Sequence, residues 1–246
     1  MRRSLAAASL VVIVSAACSS SANPRAARLS DDDAARLSQV LARNYDGKGA
    51  TFTATLTVRA GTTLGLQGEV DWDGHRGRAD VTWIGNPAPG RVVETAWSGD
   101  TIAERLPTLA QALTDAGRPA ANWVGRPADP QNDILDRVVQ FVAKLSATQR
   151  DNPVLVQQDP RAAWLRAEKL DGAVVDVYRY GDGLTLWVGA DGRLRRVEGG
   201  LAGFAGPLVV RFLAAGEQQV LGPKSIDLVL IDDVRAVYDR LNPAPR

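Results

Sequence analysis

Thr51-Phe52-Thr53-Ala54-Thr55-Leu56-Thr57-Val58 alternates without a break, with threonine at every odd position and an apolar residue at every even one. A period of two places the two sets on opposite faces of a strand, one wet and one buried. Downstream, Leu66, Gly68, Val70 and Trp72 continue the pattern opposite Gln67, Glu69 and Asp71. Asp73-Gly74 is a tight-turn signal. Ala79, Val81 and Trp83 then alternate with Asp80 and Thr82. Residues 91–97 read as a fourth strand, Ser98-Gly99-Asp100 as a turn and residues 101–106 as a fifth strand. Short consecutive strands with hairpin turns predict an antiparallel meander.

A second meander is predicted from residues 164–169, 174–180, 184–188, 194–199 and 208–213. Asp171-Gly172, Gly181-Asp182-Gly183 and Asp191-Gly192 stand between its strands. The region between the meanders reads as helical. Pro107 opens a helix carrying Leu109, Ala110 and Leu113. A loop containing the apolar pair Trp123-Val124 follows. The strongest helix spans 129–145, with Ile134, Leu135, Val138, Val139, Phe141, Val142 and Leu145 on a wide apolar face. Upstream, Ser30 caps a helix running to Asp46-Gly47, and Asp31, Asp32 and Asp33 complement its dipole. Residues 232–241 close the chain as a last amphipathic helix, with Asp232-Asp233 at its start. About ten strands and four helices in one α+β domain, residues 30–246, are expected.

The N-terminus reads as an export signal. Arg2 and Arg3 precede the apolar run 5–14, and Ser15-Ala16-Ala17 supplies small residues before Cys18. The run is too short to span a bilayer, which takes about 20 apolar residues. Cys18 is the only cysteine of the chain. The arrangement resembles a bacterial lipoprotein signal, with Ser15 where that signal usually has an aliphatic residue. The resemblance implies removal of residues 1–17, acylation of Cys18 and attachment to the extracytoplasmic face of the cell membrane. An ordinary signal peptide cut near Ala17 is the alternative. Cleavage before Cys18 leaves 27 basic and 28 acidic residues, so attachment would rest on the lipid and not on a basic patch. Residues 18–29 read as a flexible tether.

Composition narrows the function further. The whole chain of 246 residues has a formal net charge of +1, which disfavours a nucleic-acid partner. One histidine and one cysteine leave little material for a zinc site, an internal disulfide or a Ser-His-Asp triad. No G-x-S-x-G, H-E-x-x-H or P-loop pattern occurs. His75 follows Asp73-Gly74 and reads as a turn residue. Arg193, Arg195 and Arg196 read as a solvated strand face or as contacts to lipid phosphates. No catalytic residue, metal ligand or cofactor is expected.

The order of signal, helix, meander, helical insert, second meander and closing helix resembles the LolA-like superfamily, in particular the LppX/LprG-type lipoproteins of actinobacteria. The residues that carry the resemblance are Cys18, the strands at 51–58 and 66–72, and the turn-rich stretch 171–197. The resemblance implies a strongly curved antiparallel half-barrel sheet with helices over the concave face. It implies a hydrophobic cavity for an acyl lipid or glycolipid between them. Phe52, Leu56, Val70, Trp72, Val81, Trp83, Ile134, Val138, Phe141 and Val142 would line it. Trp72 and Trp83 share faces with the buried aliphatics of their strands, and core packing is their simple reading, with cavity lining the alternative. The expected function is therefore non-enzymatic lipid binding and carriage by a membrane-anchored lipoprotein. The other reading is an envelope protein-interaction or sensor module of the same fold.

Overall fold

The structure is a computed structural model that describes residues 27–85 and 92–241. The signal peptide, Cys18 and Arg91 lie outside the described residues. Among the described residues, β1 (Gly49–Arg59), β2 (Thr62–Asp71), β3 (Arg76–Ile84), β4 (Val92–Ser98), β5 (Thr101–Arg105) and β6 (Trp123–Pro127) form one antiparallel meander. The second meander comprises β7 (Ala163–Leu170), β8 (Ala173–Tyr180), β9 (Leu184–Gly189), β10 (Leu194–Gly199) and β11 (Leu208–Ala215). Antiparallel pairing of β1 with β11 fuses them, and β12 (Leu228–Leu230) adds a parallel strand beside β6. The product is one open sheet of twelve strands, with β12 and β7 at its edges. Six helices accompany it: α1 (Asp31–Leu37), α2 (Val40–Asp46), α3 (Leu109–Asp115), α4 (Ile134–Ala143), α5 (Pro153–Gln158) and α6 (Ile231–Leu241). The protein is thus α+β with a mostly antiparallel sheet.

Several elements depart from the sequence reading. The expected helix from Ser30 to Asp46 is two helices. The Ser38 hydroxyl donates to the Ala35 carbonyl at 2.9 Å, and α2 restarts without a side-chain cap. Such local side-chain bonds compete with helix continuation. Trp123-Val124 is not in a loop but opens β6, hydrogen-bonded between β5 and β12. The short α5 is absent from the sequence reading, although Asn152 caps it and Pro153 occupies its first turn. Residues 27–29, at the end of the stretch read as a tether, are docked. Ala27 exchanges two backbone hydrogen bonds with Trp164 of β7, at 3.0 and 3.2 Å, and Leu29 is buried.

Register explains which face is covered. Phe52 lies between Gly68 and Phe212, Ala54 between Leu66 and Val210, and Leu56 between Leu64 and Leu208. Directly opposed residues share a face, so the even positions of β1 extend into one apolar surface across both meanders. Thr51, Thr53, Thr55 and Thr57 occupy the other face, where Arg78 and Arg105 both pair with Glu94. The apolar surface is covered by α4, whose Val138, Val139 and Val142 belong to the same core. Trp72 Nε1 also reaches the Val142 carbonyl at 3.4 Å. Gly77 is required by packing. A Cβ there would stand 2.0 Å from Cζ2 of the Trp97 indole. A separate small core gathers α3, α6 and β6 through Leu109, Leu113, Val124 and Val234.

Candidate functional site

The ten residues expected to line a cavity all fall in one place. Phe52, Leu56, Val70, Trp72, Val81, Val138 and Val142 are buried in a single contiguous core, and Trp83, Ile134 and Phe141 pack against it half-buried. In this structure all ten belong to, or pack against, the core shared by α4 and the sheet. Beside Trp72, Ala50, Leu194 and Phe212 only about 10 Å³ is open, the least that one water needs. A depression of about 420 Å³ lies instead over the polar face, bordered by Thr51, Gln67, Glu69, Arg78 and Glu94.

Two of the half-buried members, Trp83 and Phe141, mark one end of the sheet. Pairing places Leu56 beside Leu208, Leu208 beside Gly199, Thr185 beside Glu198, and Tyr180 beside Leu184. At this end Val58, Phe141, Tyr180, Leu184, Leu201 and Phe204 are only partly covered and pack on the core. Gly199 makes room for them. A Cβ there would stand 2.5 Å from Leu184 Cδ2 and 3.9 Å from the Phe141 ring. The result is an apolar rim leading to an interior with apolar walls. Leu201, Phe204 and Leu184 escaped the sequence reading. The signal available for the first two was a pair of large apolar residues inside a glycine-rich loop.

Arg137 straps this rim. Its Nε donates to the Pro130 carbonyl at 3.1 Å, Nη2 to the Gln131 carbonyl at 3.0 Å and Nη1 to the Ala202 carbonyl at 3.4 Å. The guanidinium carbon stands 5.3 Å from the centroid of the Phe204 ring, a cation–π distance. Arg137 therefore ties α4 to the β10–β11 loop across the rim.

The start of α4 is held by a buried ionic cluster. Asp136, fully buried, accepts from Arg126 Nη1 at 2.6 Å and Nη2 at 2.8 Å, and from the Asp129 backbone N–H at 2.6 Å. Arg126 also stands 3.3 Å from Asp133 and 3.5 Å from Glu104. Tyr238 of α6 donates to Glu104 at 3.2 Å. Burial pushes the Glu104 carboxyl above its usual range, against the pull of Arg126 and Tyr238. Burial also raises Tyr238 to about 12, with the nearby Glu104 charge adding to it. Burial works against the Arg126 cation, but the bond to Asp136 and the three surrounding carboxylates hold it above its ordinary value. The charged partners of Arg126 are carboxylates of β5, of α4 and of the α4 cap. His75 sits exposed in the β2–β3 turn with φ 50°. Among the described residues no group of three or more His, Cys, Asp or Glu side chains is placed to hold a metal. No described helix is long and apolar enough to cross a membrane.

No protein-family model matches the chain, and no curated protein matches it. Among solved structures, an uncharacterized conserved protein from Thermus thermophilus is similar over 76% of this chain and 94% of its own, at 12% identity and a TM-score of 0.37.

Proposed function

We propose that this protein is an exported, membrane-anchored lipoprotein that holds an acyl chain of a lipid or glycolipid between α4 and the sheet. In this reading the sheet is a curved half-barrel and α4 covers its concave side. The observation that carries it is the apolar rim around Phe141, Leu184, Leu201 and Phe204, opening onto a core in which every expected lining residue is apolar. Transfer of each CH₂ of an acyl chain from water into such an interior is favourable by about 0.8 kcal/mol. Entry parts α4 from the β10–β11 loop, which Arg137 and Phe204 hold together. The strap through Arg137 is the contact that must open. Binding of this kind needs no catalytic group. Anchoring through Cys18 would keep the protein at the extracytoplasmic face of the membrane that supplies the lipid.

The test is organic extraction of the protein purified from its own host, followed by mass spectrometry. Covalently attached chains stay with the protein on extraction. A co-extracted acyl lipid near one per protein is expected. Phe141→Glu, which puts a charge in the half-buried rim, should lower that ratio while leaving the fold intact. A second reading, a protein-interaction module, draws on the edge strand β7, whose outer side is met only at Ala27 among the described residues. A free strand edge is a template for another chain.

A further inference from the structure

Ala27, the first described residue after Cys18, and the apolar rim lie at the same end of the sheet. Ala27 pairs with Trp164, Trp164 with Tyr178 two residues before Tyr180, and Tyr180 with Leu184 of the rim. Cys18 is nine residues before Ala27, and nine residues extend at most about 30 Å. An acylated Cys18 therefore holds this end within that distance of the bilayer surface. Beside it stands α5. Its Val156 is buried in the core, while Val154 and Leu155 point outward with 54% and 65% exposure. They are the only sequence-adjacent pair among the described large hydrophobic residues left exposed. Two contacts fix α5 at this end. Asp151 accepts from the Tyr180 hydroxyl at 2.9 Å, and Gln157 reaches Asp31 of α1, two residues past the buried Leu29.

We infer that Val154 and Leu155 of α5 are a membrane contact that rests the apolar rim on the leaflet to which Cys18 is attached. The inference rests on the lipoprotein reading given above. The occupant of this patch is the lipid surface, because α5 is held at the end of the sheet from which the chain leads back to Cys18. Near-neutral net charge after signal removal leaves little electrostatic attraction, so the contact is apolar. Side chains of this kind seat at the boundary of headgroups and acyl chains, about 5–10 Å into the interface. A lipid leaving the leaflet at this point would meet the rim without crossing water.

The mature lipoprotein has no cysteine besides the acylated one, so Leu155→Cys supplies a single thiol for an environment-sensitive fluorophore. Leu213→Cys, at the opposite end of β11, serves as the reference. Full-length protein carrying each label is reconstituted into vesicles of phosphatidylethanolamine and phosphatidylglycerol containing a spin-labelled lipid. The label at 155 is expected to shift to the blue and to lose emission to the spin label, and the label at 213 to do neither. A solvent-like spectrum at 155 in protein that floats with the vesicles overturns the contact, and a co-extracted lipid in that protein leaves the carrier reading standing. Quenching at 155 without any co-extracted lipid keeps the contact and removes the carrier reading. Protein that does not float overturns the anchor and the contact with it.

Discussion

Asp136→Ala removes the one fully buried carboxylate among the described residues, and its cost can be worked from its partners. The substitution deletes two charge-assisted bonds from Arg126, at 2.6 and 2.8 Å, and frees the Asp129 N–H that bonded at 2.6 Å. Breaking a buried ion pair from one side costs about 3–5 kcal/mol. The freed N–H belongs to the exposed Asp129 and can turn to water, so it adds little to the loss. Arg126 keeps Asp133 at 3.3 Å and Glu104 at 3.5 Å, so it is not left uncompensated. The lower half of the range, about 3 kcal/mol, is expected. Urea unfolding followed by tryptophan fluorescence measures it. With a slope of about 3 kcal/mol per molar the midpoint should fall by about 1 M. Asp133→Ala is the comparison. Asp133 is half-exposed and caps α4 through the Leu135 and Asp136 N–H groups, so its loss should cost about 1 kcal/mol. A loss below about 1 kcal/mol for Asp136→Ala at unchanged slope, or a larger loss for Asp133→Ala, would refute the view that Asp136 and Arg126 hold the start of α4.

Three further outcomes follow from the same geometry. Gly77→Ala drives a methyl group into the Trp97 indole and should cost about 1–3 kcal/mol with a changed near-ultraviolet circular dichroism spectrum; an unchanged spectrum and midpoint would contradict the packing described. Glu104, held above its usual carboxyl range by burial, gives stability that is complete below the unfolded value and lost as pH rises through the folded one. Glu104→Gln should therefore stabilise the protein at about pH 7 relative to the parent, and the difference should vanish near about pH 4; a gain that grows toward acid would reverse the sign. Arg137→Ala frees the β10–β11 loop from α4 and should speed uptake of a fluorescent fatty acid while changing stability by about 1 kcal/mol or less; unchanged uptake would remove Arg137 as the strap.

The central strands were legible because each carries its own evidence. The alternation in 51–58 needs no partner to be read, and its register with β2 and β11 makes the even residues one surface. The short elements were not. Trp123-Val124 is followed by Gly125, Arg126 and Pro127, a run with turn-like composition. It becomes a strand only because β5 and β12 pair on either side. Three-residue β12 has no periodicity to show. The break between α1 and α2 coincides with two side-chain bonds to the Ala35 carbonyl, from Ser38 and Gln39. Asp136 reads in sequence as an interruption of an apolar face. Its burial follows from Arg126, a partner in the very strand that composition hides. The ten candidate lining residues do gather in one core, since apolar periodicity reports the buried face. Periodicity does not report whether a ligand shares that face, nor that Leu201 and Phe204 fold back onto it.

Acyl-chain binding is measured most directly as the lipid content of the protein purified from its own host, read by mass spectrometry of an organic extract. A co-extracted acyl lipid near one per protein is expected, reduced by Phe141→Glu. A protein that yields none, and still yields none after incubation with host membranes, would contradict acyl-chain binding.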